Sequence, residues 1–350
     1  MANNIETGKD SVFRSGMRTL LKSFFGVVGL FLAFVICSIF YSIISPPPLI
    51  EENTTLTVLP DAQGNRKINS FQSPAVLQIN IHGVIGEAKK GVTAEDIESI
   101  LLDSREGLLE SNRVKAILLH FDTPGGGVTD SDNIYQMIKD YKKKFQVPVY
   151  GYIDGLCASG GIYIASAADK LFAGPSSVIG SVGVLMGPFF NVSETLTKVG
   201  IQAKTLTQGI DKDMFNPTRP WKEGEDASVK AIMGYLYERF VDIVCEARPQ
   251  LSKDKLIHEY GAQVFDCKTA QKFGYIDVAM SSRNEALSAL LEAAHIDAST
   301  PYQVVELSHK QGILSLLAEG KFDLLQGKVE HSIDFHQPKI KDRFAYLLMP

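Results

Sequence analysis

Residues 24–44 run without a formal charge, and no other feature restricts the chain so much. As an α-helix the run spans about 31 Å, one hydrocarbon core, and a helix satisfies its own backbone polar groups in lipid. Arg14, Arg18 and Lys22 precede it and Glu51 and Glu52 follow. The positive-inside rule therefore keeps residues 1–23 in the cytoplasm and sends everything beyond the run across the membrane. A cleaved signal peptide is the competing reading, but the run exceeds a typical apolar signal core and no small-x-small site ends it. A buried core helix fits less well, because the run is apolar all round and leads into Pro46-Pro47-Pro48, a stiff exit. The expectation is one transmembrane anchor at 24–44 and a polar, turn-rich linker at 45–72 containing Pro60, Asp61, Gly64 and Asn65.

Beyond the linker the hydrophobic periodicity alternates. Residues 76–81 read as a strand, and Thr93 with Asp96 three positions on resembles a capping box that opens a helix through about Glu106. Strands at 114–121 and 147–153 then alternate with helices at 130–144 and 159–168. Short strands are expected at 171–173, 178–184 and 201–207, followed by helices at 225–248, 253–260, 268–273 and 284–294. Such alternation predicts a layered α/β domain with a parallel sheet over 73–299. The tail 300–350 carries Gly312, Gly320, Gly327 and Pro338 with weak periodicity, and no role can be read for it. With 45% hydrophobic residues the chain has material for a large core, and its net charge of −5 offers no basic stripe for nucleic acid. Cys37, Cys157, Cys245 and Cys267 form no C-x-x-C pair and read as small buried hydrophobes. Neither a metal nor a cofactor is expected.

Two glycine-rich turns carry the chemistry. Strand 114–121 runs into Asp122-Thr123-Pro124-Gly125-Gly126-Gly127, at the carboxyl end of a strand, where parallel sheets place their sites. Consecutive glycines expose backbone N–H groups, as a phosphate cradle or an oxyanion hole requires. No Walker lysine follows and the spacing is not a dinucleotide fingerprint, which favours the oxyanion hole. The next strand ends in Asp154-Gly155-Leu156-Cys157-Ala158-Ser159-Gly160-Gly161, before a helix. A serine at such a bend projects its hydroxyl while the following N–H, that of Gly160, faces a forming oxyanion. Ser159 could equally be an ordinary helix N-cap. Cys157 is a second nucleophile candidate, without a neighbouring histidine in the sequence. For the base, His82, His120, His258, His295, His309, His331 and His336 sit in no recognisable motif, although His120 enters the glycine turn. Lys212, in Gln208-Gly209-Ile210-Asp211-Lys212-Asp213, is the alternative, and a surface lysine is the ordinary explanation for it. A lysine acts as a base only as the neutral amine; bringing an ammonium from about 10.4 to near 7 costs roughly 4 kcal/mol of burial and dipoles.

At these residues the chain resembles the signal peptide peptidase A family, also called protease IV, of bacterial membrane-bound Ser/Lys peptidases. The resemblance covers about residues 75–293. It rests on Asp122-Thr123-Pro124-Gly125-Gly126, with Thr123 where the family usually has serine, and on Ala158-Ser159-Gly160-Gly161-Ile162-Tyr163-Ile164-Ala165. Further matches are Gly180-Ser181-Val182-Gly183-Val184 and the loop 209–213, in which the lysine follows a glycine by three. The resemblance implies a Clp protease/crotonase-like fold with Ser159 as nucleophile and Lys212 as base. It also implies an oxyanion hole of Gly126 and Gly160, and Ser181 bonded to the lysine. It further implies a homo-oligomeric ring in which neighbouring protomers complete each site. The anchor would lie in a bacterial inner membrane with the catalytic domain outside the cytoplasm, acting on remnant signal peptides and other apolar peptides. The rivals are a crotonase-like acyl-CoA enzyme, a thiol acylhydrolase using Cys157, and a non-catalytic membrane scaffold on the same fold.

Overall fold

A computed structural model of the protein describes residues 9–44, 54–309 except 67, 70–72, 89 and 298, and 345–347. Residues 1–8, the linker segment 45–53 and the tail segments 310–344 and 348–350 lie outside the described residues. The uncharged run belongs to one helix, α1 (Lys9–Ile44), in which Gly16–Cys37 is long and apolar enough to cross a membrane.

The second unit of the chain begins at Thr54. Its elements are β1 (Thr54–Leu59), β2 (Ala75–Ile85), α2 (Ala94–Asp103), β3 (Val114–Gly127), α3 (Val128–Phe145), β4 (Val149–Ala158), α4 (Gly160–Ala165), β5 (Lys170–Ala173) and β6 (Val178–Gly180). Then come α5 (Ser193–Lys198), α6 (Ala227–Ala247), α7 (Lys253–Lys255), β7 (Val264–Asp266), α8 (Cys267–Phe273), α9 (Arg283–Ala293), β8 (Gln303–His309) and β9 (Ala345–Leu347). One sheet takes in all nine described strands, in the order β1-β8-β2-β3-β4-β6-β7, with β5 also on β4 and β9 also on β3. The centre is parallel, as the alternation of strand and helix demands. The sheet as a whole is mixed, because β1 runs antiparallel to β8, β7 to β6 and β9 to β3.

Alternate residues of the central strands face two different layers. Ile117, Leu119 and Phe121 of β3 pack into the core that also takes Ile134 and Ile138 of α3, Ile162 and Tyr163 of α4, and Phe240 and Val244 of α6. Ala116 and Leu118 point the other way, with Tyr150 and Tyr152 of β4, onto Ala286, Leu287 and Leu290 of α9. Period-two alternation therefore assigns each strand residue to a layer, and truncating a buried ring such as Phe121 should cost about 3–5 kcal/mol. The capping box read from sequence is present: Thr93 Oγ1 accepts from the Asp96 amide and the Asp96 carboxylate accepts from the Thr93 amide.

Three differences from the sequence expectations bear on the site. The strand expected at 201–207 does not form: residues 201–208 are exposed, and among the described residues no strand pairs with them. The strand expected at 178–184 stops at Gly180, where positive φ values of 135° at Gly180 and 59° at Ser181 turn the backbone out of the ladder. The sheet also reaches beyond the span 73–299, because β1 and β8 pair with each other and β8 with β2.

Candidate functional site

β3 ends in the glycine turn, and the turn is held by a threonine. Thr123 is fully buried; its hydroxyl donates to the Gly83 carbonyl at 2.5 Å and accepts from the Gly125 amide at 3.1 Å. The hydroxyl that the sequence retains at this position therefore shapes the backbone of the turn. Beyond it, Gly126 has no room for a side chain, since a Cβ would stand 2.0 Å from the Ile85 carbonyl oxygen of β2. Only glycine lets β2 and β3 stay in register there.

β4 leads directly to Ser159, which has φ 54° and ψ −115° and is 1% exposed. An L-residue in this region is strained by about 1–3 kcal/mol, and such strain persists only where the surroundings over-determine the backbone. Here the Ser159 amide donates to the Gly180 carbonyl at 2.9 Å and its carbonyl accepts from the Tyr163 amide at 3.1 Å. The serine stands at the N-cap position of α4, yet its side chain makes no capping hydrogen bond. The ordinary explanation of this serine as an N-cap is thereby removed, and the sharp strand-to-helix bend leaves the hydroxyl for another purpose.

The helix behind Ser159 is fixed from two sides. Tyr163, fully buried, donates its hydroxyl to Asp132 of α3 at 2.7 Å, and Arg239 of α6 pairs with the same carboxylate at 2.7 Å. Beyond α4, Arg248 donates to the Ala168 carbonyl at 3.0 Å and pairs with Asp277 at 2.7 Å. Sequence reasoning missed these supports, although a cation near a helix C-terminus is a recognisable signal. Ser181, 5% exposed, is brought close to Ser159 through the pairing of Ala158 with Gly180.

Cys157 and His120 are occupied otherwise. Cys157 is fully buried, and burial raises its thiol well above the usual range, so it does not supply a thiolate. His120 stacks on Tyr152, lies 3.2 Å from His82 Nε2 through its Nδ1, and approaches Asp154 at 3.7 Å. Tyr152 belongs to the α9 layer, whereas α4 lies in the other. Burial, with His82 as a second cause, lowers the His120 pKa, so the neutral ring is favoured in that setting.

Lys212 is exposed on the turn that follows the irregular stretch 201–208. Among the described residues, no hydrogen bond or ion pair joins it to Ser159. Its loop is nevertheless built. The Arg219 guanidinium donates to the Asp213 carboxylate at 2.8 Å and to Glu225 at 2.7 Å, and holds the Asp213 carboxyl down at about 2. Phe215 stacks on Phe189 with centroids 4.2 Å apart, and the Trp221 indole donates to the Asn216 carbonyl at 3.2 Å. Around this knot Phe190, Leu206 and Ile210 are 73%, 85% and 96% exposed, an apolar surface that the described residues do not cover.

The model of Peptidase family S49 matches residues 141–297, a stretch that contains both Ser159 and Lys212. A putative signal peptide peptidase SppA of Enterococcus faecium is 28% identical over 205 residues, 58% of this chain and 59% of that protein. A putative protease of Methanocaldococcus jannaschii is 30% identical over 218 residues, 62% of this chain and 67% of that protein. Protease 4 of Haemophilus influenzae is 29% identical over 248 residues, of which this chain spans 37% of the length. Among solved structures, a ClpP1 mutant from Listeria monocytogenes aligns with TM-score 0.40 and 22% identity over 60% of this chain and 94% of its own. Sequence likeness over two thirds of the Methanocaldococcus relative, joined to the family match from the end of α3 through α9, makes the chain a member of peptidase family S49.

Proposed function

We propose that the chain is a membrane-anchored serine endopeptidase with Ser159 as nucleophile and Lys212 as general base. The single observation that carries the reading is the backbone of Ser159, held at positive φ with a hydroxyl that caps nothing. In the proposed reaction the neutral Lys212 amine takes the Ser159 proton as the oxygen attacks a peptide carbonyl. The Gly126 and Gly160 amides receive the negative charge of the tetrahedral intermediate. The lysine ammonium returns the proton to the departing amine, and water, deprotonated by the same lysine, releases the acyl group. Ser181 orients the lysine.

A general base works as the neutral amine, a form that burial favours, and Lys212 is exposed in this chain, so the reading calls for a cover over it. The apolar surface around its loop and the unpaired stretch 201–208 support a second copy as that cover, in a homo-oligomeric ring. Such a copy would bury Phe190, Leu206 and Ile210 and give 201–208 a strand to pair with. The proposed substrates are remnant signal peptides and other apolar peptides at the outer face of a bacterial inner membrane. α1 and the basic residues at the head of the apolar run support that placement. Mass spectrometry after fluorophosphonate or β-lactone labelling tests the assignment: the adduct should map to Ser159 and disappear in Ser159→Ala and Lys212→Ala. An adduct on another residue, or no adduct on an oligomer that cleaves peptides, refutes it.

A further inference from the structure

β3 and β4 separate just before the two turns of the site. Phe121 pairs with Ile153, and the next pair along the ladder is Thr123 with Cys157. Asp122 alone therefore stands opposite Asp154, Gly155 and Leu156, a bulge on β4. After Thr123 the strands take different neighbours. Val84 and Ile85 of β2 stay beside Gly125 and Gly126, while Leu156, Cys157 and Ala158 turn to Val178, Ile179 and Gly180 of β6. Among the described residues no β3–β4 ladder pair lies beyond Thr123 and Cys157, so the spacing of the two turns depends on what crosses between the strands there.

The Asp122 side chain crosses at the bulge. Its Oδ1 accepts from the Leu156 amide at 3.1 Å. Gly155, at φ 131°, provides the room, since a Cβ there would stand 2.5 Å from the same oxygen. β4 thus arches over one side chain of β3 before it reaches Ser159. A second contact acts in the opposite sense: a Cβ on Gly161 would stand 2.7 Å from the Thr123 methyl, which limits how near α4 can come to β3. The Asp122 bond limits how far β4 can draw away. Asp122 precedes Gly126 by four residues and Leu156 precedes Gly160 by four, so the bond lies at the common root of both turns.

We propose that Asp122 is a positioning residue: its carboxylate ties the β4 bulge to β3 and so fixes the separation of the Gly126 and Gly160 amides. The proposal rests on the reading of Ser159 as nucleophile and of those two amides as oxyanion donors. Loss of one oxyanion donor costs about a hundred- to a thousandfold in kcat, and a donor shifted out of line forfeits part of that. Substrate binding precedes the development of charge and should change little.

The test uses the full-length protein in detergent. Asp122→Ala removes the acceptor, Asp122→Leu removes it but keeps volume against Gly155, and Asp122→Asn keeps an acceptor in place. Hydrolysis of a fluorogenic apolar peptide gives kcat and KM, and mass spectrometry follows hydrogen exchange at the Leu156 amide. In the Ala and Leu variants kcat should fall about ten- to hundredfold with KM within about twofold of the parent. Asp122→Asn should recover the rate to within about threefold, and Leu156 should exchange faster only where the acceptor is gone. If one acceptor-free variant does not fold, the other decides. Parent-like kcat without the acceptor overturns the proposal, as does an Asp122→Asn variant as slow as Asp122→Ala. A loss carried wholly by KM also overturns it, because the residue would then serve binding. Unchanged Leu156 exchange in the acceptor-free variants removes the tie itself. A parent protein that cleaves no peptide, with exchange responding as expected, removes the peptidase reading and the positioning role together and leaves only the hydrogen bond.

Discussion

The backbone of Ser159 gives a prediction that does not depend on knowing a substrate. Ser159→Ala and Ser159→Gly both delete the hydroxyl, so their difference reports only the Cβ and the backbone. At an ordinary buried helical position such as Ala286, fully buried in α9, exchanging alanine for glycine should cost about 1 kcal/mol of helix propensity and about 0.8 kcal/mol for the lost methyl, close to 2 in all. At position 159 the methyl and the unfolded-state entropy cost about as much, but glycine has no penalty at φ 54°. Relief of about 1–3 kcal/mol should make Ser159→Gly as stable as Ser159→Ala or more so. Relative to the Ala286→Gly control the pair should therefore differ by roughly 5 °C in Tm. Thermal unfolding in detergent, followed by circular dichroism, measures both exchanges, and both Ser159 variants should be inactive. If glycine at 159 lowers stability by the same 2 kcal/mol or so as glycine at 286, Ser159 is not strained and the argument from its backbone fails.

Lys212→Arg should fold as the parent and lose activity by at least about a hundredfold, because a guanidinium stays protonated; wild-type peptide hydrolysis by this variant sinks the base assignment. Gly126→Ala should cost stability by about 1–3 kcal/mol in urea unfolding, because its Cβ meets the backbone of Ile85. The Asp213 carboxyl, lowered to about 2 mainly by its hydrogen bond with Arg219, adds stability that is complete above its ordinary value near 3.9 and is lost as pH falls through about 2. Trp221, the sole tryptophan, donates to Asn216 in the same loop, so its fluorescence should change between about pH 4 and 2. In Asp213→Asn that step should be absent; an unaltered step contradicts the ion-pair account. Iodoacetamide should leave turnover intact, since the fully buried Cys157 thiol is both inaccessible and held protonated.

What the sequence disclosed and what it withheld divide along the range of the forces involved. The turn at Ser159 could be read because the residues that create it are adjacent: a β-rich run, a small-residue bend and a helical run define strand, turn and helix with no help from distant parts. The same holds for the box at Thr93 and Asp96, and for the helices α3, α6 and α9. β1 and β8 escaped because each is short and flanked by polar residues. Their strand character comes from pairing with each other across more than 240 residues, and local pattern carries no record of a partner so far away. The segment 201–207 shows the converse. Its alternation suits a strand, yet a strand needs an edge, and none of the described residues brings one to it. The reading of the site is split in the same way. Ser159 is placed by its own neighbours in sequence, whereas a basic Lys212 requires burial that the described residues do not give its loop. A local sequence signal for 201–207 combined with an unpaired structure is what a segment completed by a second subunit should display. The two halves of the proposed dyad therefore lead to different experiments: the serine can be tested in any folded preparation, and the lysine only in the proposed oligomer.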